Sequence, residues 1–279
     1  MDIVQASNYF VQKMQSKNWS EMTIKNYKCQ LLLFLTHFKQ RDRARNITAD
    51  EIEKWLLTYV NINSRKHCRC AINAFYKLVI NQPKKLRFIP WPKKEEKLVE
   101  YITEDEAQRL ISVCQNLKHL AIICLMYGSG LRVGEVINLK PGDIDSERNI
   151  IRIICGKGKK DRIVQLDKDL LVLLRKYWLK FNPKGGYLFQ GQFEPQYSER
   201  SINEFLKKYA KLADIKRNIH AHLLRHGYAT SSLEMGVDIR YIQSLLGHNS
   251  IKTTLRYTHV STAMVATTRS PLSNLKIAS

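Results

Sequence analysis

The chain has 279 residues, 44% of them hydrophobic, and no apolar run approaches the ~18 residues that a membrane-spanning helix needs. It carries 46 Lys and Arg against 25 Asp and Glu, a net charge of +21. These values exclude an integral membrane protein, and the length predicts two domains of roughly 100 to 180 residues. Residues 1–17 lack the features of a signal peptide and the six cysteines form no CxxC pair, so we expect a cytoplasmic protein with reduced thiols.

Both halves of the chain are basic. Residues 1–98 hold 19 Lys and Arg against 8 Asp and Glu, and residues 99–279 hold 27 against 17, which gives net charges of +11 and +10. A nucleic acid bound between two domains would need basic residues on both of them. Each phosphate that a Lys or Arg neutralises releases counterions, which favours binding. A lysine-rich, solvated surface is the alternative explanation of the same charge.

The first half shows a helical pattern that ends at a proline-rich segment. Apolar residues recur at helical spacing in 2–17, 20–39, 48–61 and 63–80, and Thr48 with Glu51 forms a capping box ahead of the third stretch. Residues 83–97 then hold Pro83, Pro90 and Pro92 among lysines and arginines, which predicts a linker. Residues 1–82 are therefore predicted to form a small helical domain.

The second half, residues 98–279, is predicted to be mainly helical with a small antiparallel sheet. Thr103 and Glu106 form a second capping box. Helical patterns cover 103–116, 118–127, 132–139, 167–181, 198–213, 222–235, 239–246 and 251–258. Residues 149–166 break the series with β-branched runs on both sides of a glycine turn, which predicts a β-hairpin.

Five of the eight histidines lie between His220 and His259. His222 and His226 have the i, i+4 spacing of the zinc ligands in HExxH, but Leu223 stands where that motif has its glutamate. The pattern therefore argues against zinc. The chain also lacks the GxxxxGK[ST] loop of nucleotide-binding proteins, and we expect neither a metal nor a cofactor.

Four motifs follow one another along the second half. They are Gly128–Glu135 (GSGLRVGE), Gly156–Arg162 (GKGKKDR), Ala221–Thr230 (AHLLRHGYAT) and Leu245–Val260 (LLGHNSIKTTLRYTHV). In this order they resemble the tyrosine recombinase, or phage integrase, family, most closely its Xer-like and phage members. The first half is similar in size and charge to the helical, SAM-like core-binding domain of that family. The resemblance implies the fold of DNA breaking-rejoining enzymes and a site-specific recombinase that works through a 3′-phosphotyrosyl intermediate without a metal.

The resemblance also assigns roles at the matching positions. The catalytic residues it implies are Arg132, Lys157, His222, Arg225, His248 and Tyr257, with Glu135 as a supporting residue. Arg132 and Arg225 would hold the nonbridging oxygens of the scissile phosphate, because two fixed guanidinium groups can neutralise the charge of a five-coordinate transition state. His248 would donate a hydrogen bond to the same phosphate, and Glu135 would brace the site.

The remaining roles concern proton transfer. Tyr257 would attack the phosphorus, His222 would assist the transfer of its proton, and Lys157 would protonate the departing 5′ oxygen. Lys159 and Lys160 stand close enough in sequence to be confused with Lys157. We assign His226 to structure or to the surroundings of the site, and give His220 and His259 no role.

The implied partner is double-stranded DNA with specific recombination sites, gripped by a clamp of the two domains. The family works as a homotetramer on DNA, and we expect a monomer in solution, with residues 261–279 docking on a neighbouring protomer. Two alternatives stand beside this interpretation. One is a monomeric nicking and closing enzyme like type IB topoisomerases, and the other is a DNA-binding regulator that has kept the fold but lost catalytic residues; here all six positions are filled.

Overall fold

The computed structural model describes residues 3–40, 44–93, 99–154 and 161–258. The chain divides into two compact units, Met1–Glu96 and Lys97–Ser279. Within the described residues, no helix is both long enough and apolar enough to cross a bilayer. Lys157 and the tail beyond residue 258, for which we made predictions, lie outside the described residues.

The first unit is a bundle of four helices. They are α1 (Ile3–Ser16), α2 (Glu21–His37), α3 (Ala49–Leu57) and α4 (Ile62–Phe75), the last continued by a π-helical turn, Tyr76–Ile80. The predicted capping box of Thr48 and Glu51 opens α3. Aromatic side chains fill the core, where Phe10 meets Phe75 edge to face at a centroid distance of 5.8 Å and Phe34 meets Trp55 in the same way.

The beginning of the predicted linker packs against this bundle. Leu86 and Ile89 are buried in its core. The buried Arg69 of α4 donates hydrogen bonds to the carbonyls of both residues, at 2.9 and 2.7 Å, and its guanidinium lies 3.8 Å from the ring centre of Trp91. Apolar burial and a cation–π contact therefore hold residues 86–91 on the first unit.

The second unit is mainly helical, as predicted. Its helices are α5 (Glu104–Ser112), α6 (Leu117–Gly128), α7 (Val133–Asn138), α8 (Lys168–Phe181), α9 (Glu199–Leu212), α10 (Ala221–Glu234), α11 (Ile239–Leu246) and α12 (Ile251–Leu255). The stretch predicted as one helix over 103–116 ends earlier, because Asn116 caps α6 by accepting hydrogen bonds from its first turn. Helix α6 is apolar on most sides and runs through the core, with α8 and α10 packed against it.

The predicted hairpin is present and belongs to a three-stranded antiparallel sheet. The strands are β1 (Ile144–Asp145), β2 (Ile150–Ile153) and β3 (Arg162–Gln165), in the order β1-β2-β3. Ile151 pairs with Val164, and both side chains are buried. Strand β1 has only two residues, too few for an alternating pattern, so the sequence did not predict it. The tip of the hairpin, residues 155–160, lies outside the described residues.

Helix α10 positions the site. Its inner face is buried almost throughout, including Arg225 and Gly227. Gly227 packs so closely against Ile102 that a Cβ there would lie 2.9 Å from the Ile102 carbonyl oxygen and 2.7 Å from its side chain. A smaller apolar cluster joins α10 to Leu246 at the end of α11 and to Tyr257 just after α12. The end of α11 and Tyr257 are thereby brought next to α10.

Candidate active site

Arg225 is the buried centre of the site, with only 3% of its surface exposed. Its Nη1 donates to the carbonyl of Gly130 and its Nη2 to the carbonyl of Leu246. Glu135 is the nearest carboxylate, 3.9 Å away. Burial, and after it the charge of Arg132, lowers the pKa of Arg225 to about 9, which leaves the guanidinium charged at neutral pH.

Gly130 supplies its carbonyl from a backbone conformation that other residues rarely adopt. Its φ is +64°, and a Cβ on it would lie 2.4 Å from the ring of Tyr228. A glycine is required here both by the left-handed backbone and by the close ring. This explains the second glycine of the GSGLR sequence in terms of the carbonyl that fixes Arg225.

Glu135 links two further arginines. Both of its oxygens accept hydrogen bonds from Arg162 of β3, each at 2.7 Å. Oε1 also accepts from Nη1 of Arg132 at 2.8 Å, and Oε2 accepts from the Arg132 backbone N–H, which closes a cap at the start of α7. Burial alone would raise the pKa of Glu135, but the hydrogen bonds and charges of Arg162 and Arg132 outweigh it and lower the pKa to about 2.

Arg132 and Arg162 also reach the end of α11. Nη2 of Arg132 donates to the carbonyl of Gly247 at 3.0 Å, and Nε of Arg162 donates to the carbonyl of Leu245 at 2.6 Å. Together with the bond from Arg225 to Leu246, three successive carbonyls at the end of α11 each accept from a different arginine. The negative end of that helix therefore holds three cations close together.

His248 follows immediately. Its Nε2 lies 3.3 Å from Nη2 of Arg225, and its Nδ1 lies 3.0 Å from the hydroxyl of Thr254 on α12. The side-chain amide of Gln243 donates to the His248 carbonyl at 3.0 Å. Burial, and then the charges of Arg225 and Arg132, lower the pKa of His248 to about 4, so its imidazole is neutral at neutral pH.

Tyr257 is buried, with 3% of its surface exposed, and its ring lies parallel to that of His248 at a centroid distance of 6.5 Å. Its hydroxyl is 2.8 Å from Nδ1 of His226. Burial raises the pKa of Tyr257, while Arg225, Arg256 and Arg132 act in the opposite direction without reversing it. The phenol is therefore protonated at neutral pH and needs a proton acceptor before it can attack.

His222 lies one helical turn before His226 on α10 and is exposed to solvent. The two imidazole rings are 6.3 Å apart and nearly parallel. In the described residues no hydrogen bond joins His222 to Tyr257. The histidine predicted to assist proton transfer thus borders the site, whereas a neighbouring histidine contacts the phenol.

The structure brings four of the six predicted catalytic residues, Arg132, Arg225, His248 and Tyr257, together with Glu135, around the end of α11, and places His222 at the border of the site. Lys157 lies outside the described residues. Two residues of this cluster had no predicted catalytic role, Arg162 and His226. Arg162 ends the GKGKKDR motif, and His226 follows Arg225 directly, so their place in the motifs was the only signal.

The zinc alternative gains no support from this geometry. Across residues 3–40, 44–93, 99–154 and 161–258, no group of three or more His, Cys, Asp or Glu side chains could hold a metal ion. His222 and His226 share a face of α10, but the second of them already contacts Tyr257.

Comparison with known proteins agrees with the motifs. Residues 100–264 match the phage integrase family, and residues 8–82 match the phage integrase N-terminal SAM-like domain. The chain belongs to the phage integrase family of tyrosine recombinases. The predicted family and fold class, and the assignment as a recombinase, are thereby confirmed.

Relatives extend over nearly the whole chain. A putative integrase/recombinase, y4qK, of Sinorhizobium fredii is 35% identical over 92% of this chain and 85% of its own length. The tyrosine recombinase XerC of Staphylococcus epidermidis is 30% identical over 94% of both chains. Among solved structures, XerA recombinase aligns over the full length of both chains at 30% identity with a TM-score of 0.57. XerH bound to a palindromic difH substrate gives a TM-score of 0.76 at 22% identity, over 93% of this chain and 82% of that one.

The ion pairs of Glu135 should make a large contribution to the stability of this recombinase. The pKa of Glu135 is lowered from 4.5 to about 2, and its side chain is only 11% exposed. This shift corresponds to about 3 kcal/mol in the free energy of unfolding at neutral pH. We expect Glu135→Gln to lower the free energy of unfolding by about this amount at pH 7 in urea titrations. Because the folded-state pKa is depressed, the difference from wild type should be complete above pH ~4.5 and shrink as the pH falls toward 2.

A surface carboxylate provides the matched control. Glu204 pairs with Lys207 at 3.1 Å, but both side chains are at least half exposed. Glu204→Gln should therefore change the free energy of unfolding by less than ~1 kcal/mol. An equal effect of the two substitutions, or a Glu135→Gln difference that is independent of pH between 5 and 3, would contradict the assignment.

Proposed function

We propose that this tyrosine recombinase cleaves and rejoins double-stranded DNA at specific recombination sites through a 3′-phosphotyrosyl bond to Tyr257. Recombination by DNA cleavage and rejoining is the activity of the family. The observation that carries the residue-level proposal is the convergence of Arg225, His248 and Tyr257. A buried cation, an imidazole and a phenol meet within hydrogen-bond and ring-contact distance around the end of α11.

The chemistry requires this combination. Attack on a phosphodiester adds negative charge to its nonbridging oxygens, and Arg132 and Arg225 supply planar donors for them that are charged at neutral pH. Glu135 and the carbonyls of α11 hold these guanidinium groups in place before DNA arrives. The phosphotyrosyl ester retains the energy of the broken bond, so rejoining by the 5′ hydroxyl needs no nucleotide cofactor.

The departing 5′ oxygen needs a proton, and we assign that step to Lys157 at the predicted hairpin tip. The described strands β2 and β3 lead into this segment and out of it. Arg162, the first residue of β3, is bound to Glu135, so one base of the hairpin is joined to the arginine cluster. This supports a hairpin residue as the acid.

We further propose residues 1–82 as a DNA-binding domain, 83–97 as a linker whose residues 86–91 pack on that domain, and 98–279 as the catalytic domain. The two basic domains would enclose a duplex, and four protomers would exchange strands between two sites. Among structural neighbours, a lambda integrase fragment was solved as a dimer bound to a core site, with a TM-score of 0.74 at 18% identity. A monomer in solution and a cytoplasmic location remain predictions.

Covalent capture tests the proposal and identifies the DNA site in the same experiment. Nicked duplexes of randomised sequence are incubated with the protein and denatured, and the DNA left on the protein is sequenced. We expect enrichment of one bipartite sequence, joined to the protein by its 3′ phosphate. Two differently labelled duplexes with that sequence should then yield hybrid duplexes.

The same assay separates the two alternatives. A topoisomerase-like enzyme would form the covalent complex but rejoin only the ends of one duplex, so hybrids would be absent. A regulator that binds without covalent attachment would leave no DNA on the denatured protein. Either outcome would overturn the proposed function.

A further inference from the structure

The hydroxyl of Tyr257 contacts a histidine that lies outside the predicted catalytic set. Nδ1 of His226 is 2.8 Å from this oxygen, whereas His222 borders the site from the solvent side. We propose that His226 accepts the proton of Tyr257 as the phenol attacks the DNA phosphate. This inference rests on the proposed function, because it concerns the same cleavage step.

Both partners of this contact are held by packing. His226 lies between Arg225, which is anchored on two carbonyls, and Gly227, which packs tightly on Ile102. Tyr257 is buried in the apolar cluster that it forms with residues of α10 and α11. A distance of 2.8 Å between two groups fixed in this way places the acceptor within reach of the proton it has to take.

The charges around His226 keep its imidazole neutral and able to accept. At the start of α10 its neighbours are His220, His222 and Arg225, and beyond α12 they are Arg256 and Tyr257, with His248 also close to the phenol ring. Burial and these neighbouring cations lower the pKa of His226 to about 4. A bound phosphate adds negative charge beside the cations, which raises the affinity of the imidazole for a proton during the reaction.

In the proposed step each bond that forms replaces one that breaks, and each proton has a donor and an acceptor. The Oη–H bond of Tyr257 breaks, and its proton moves to Nδ1 of His226 while Oη bonds to phosphorus. The bond from phosphorus to the 5′ oxygen breaks, and that oxygen takes a proton from the general acid, assigned to Lys157. Rejoining reverses each transfer, and the imidazolium returns the proton to Tyr257. His222, facing solvent, remains available to donate to a phosphate oxygen.

Two substitutions at each of two positions test the assignment. Asparagine places an amide near the position of Nδ1 and keeps a hydrogen bond, but it cannot take a proton. On the duplex captured by wild-type protein, we expect His226→Asn to slow single-turnover cleavage by at least ~100-fold with unchanged DNA affinity. His222→Asn, the matched control on the same face of α10, should slow it less.

Rescue and pH provide independent readouts. His226→Ala opens space beside the phenol, and imidazole in the buffer should restore cleavage there but not in His222→Ala. Wild-type cleavage should fall at low pH as His226 becomes protonated, and His226→Asn should lose this limb of the profile. The proposal is overturned if His226→Asn cleaves within about threefold of wild type, or if imidazole fails to rescue His226→Ala. Absence of covalent capture by wild-type protein would instead refute the proposed function.

Discussion

Tyr257→Phe is expected to bind recombination-site DNA with wild-type affinity and to form no covalent complex with it. The substitution removes the attacking oxygen but keeps the ring, which packs in the cluster of Val99, Leu233 and Leu246. The lost hydrogen bond to His226 should cost only about 1 kcal/mol of stability. Cleavage of a nicked suicide duplex, followed by denaturing electrophoresis, measures the loss directly.

Another phenol of the same unit serves as the control. The hydroxyl of Tyr127 lies 3.4 Å from that of Ser231 and makes no hydrogen bond to an arginine or histidine of the site in the described residues. Tyr127→Phe should therefore cleave as wild type does. A covalent complex formed by Tyr257→Phe would remove Tyr257 as the nucleophile and would leave the other tyrosines to be tested in turn.

Lys157→Ala should also cleave poorly, because the 5′ oxygen would have to leave as an unprotonated alkoxide. Sulfur at the bridging 5′ position changes this requirement. A thiolate is a good leaving group, since the pKa of its conjugate acid is near 8.5, so a proton donor is scarcely needed. We expect sulfur to restore cleavage by Lys157→Ala and to have no effect on Tyr257→Phe.

The neighbouring lysines are the matched controls for this experiment. Lys159→Ala and Lys160→Ala remove the same charge from the same motif. Both should cleave the ordinary oxygen substrate well if Lys157 is the acid. Sulfur rescue of Lys159→Ala or Lys160→Ala in place of Lys157→Ala would transfer the role to that residue, without affecting the family assignment.

Local patterns account for most of the fold. Helical spacing of apolar residues predicted all twelve helices of the described chain, and two capping boxes located the starts of α3 and α5. The structure differs from the prediction where an element is short or where one helical stretch in the sequence contains two kinds of helix. The π-helical turn Tyr76–Ile80 repeats the apolar pattern of the helix it extends, so spacing alone could not distinguish it.

The candidate site was predictable through its motifs but not through its contacts. The residues that now meet, such as Gly130 and Arg225, are 95 positions apart in sequence, and spacing carries no information on such distances. The difference between His222 and His226 depends on which one faces Tyr257, and that follows from the packing of α10 and α11 with Tyr257. The part that Arg162 plays in the site could not be predicted for the same reason, since its partner Glu135 lies on another element.

The anchoring of Arg225 on two main-chain oxygens has a consequence for how this site can change. The side chain of Arg225 loses its conformational entropy when the protein folds, so phosphate binding does not have to order it. The orientation of the cation is then set largely by two main-chain segments, the turn at Gly130 and the end of α11 at Leu246. Substitutions that shift either segment by a fraction of an ångström would change how tightly DNA is held while every catalytic side chain stays the same.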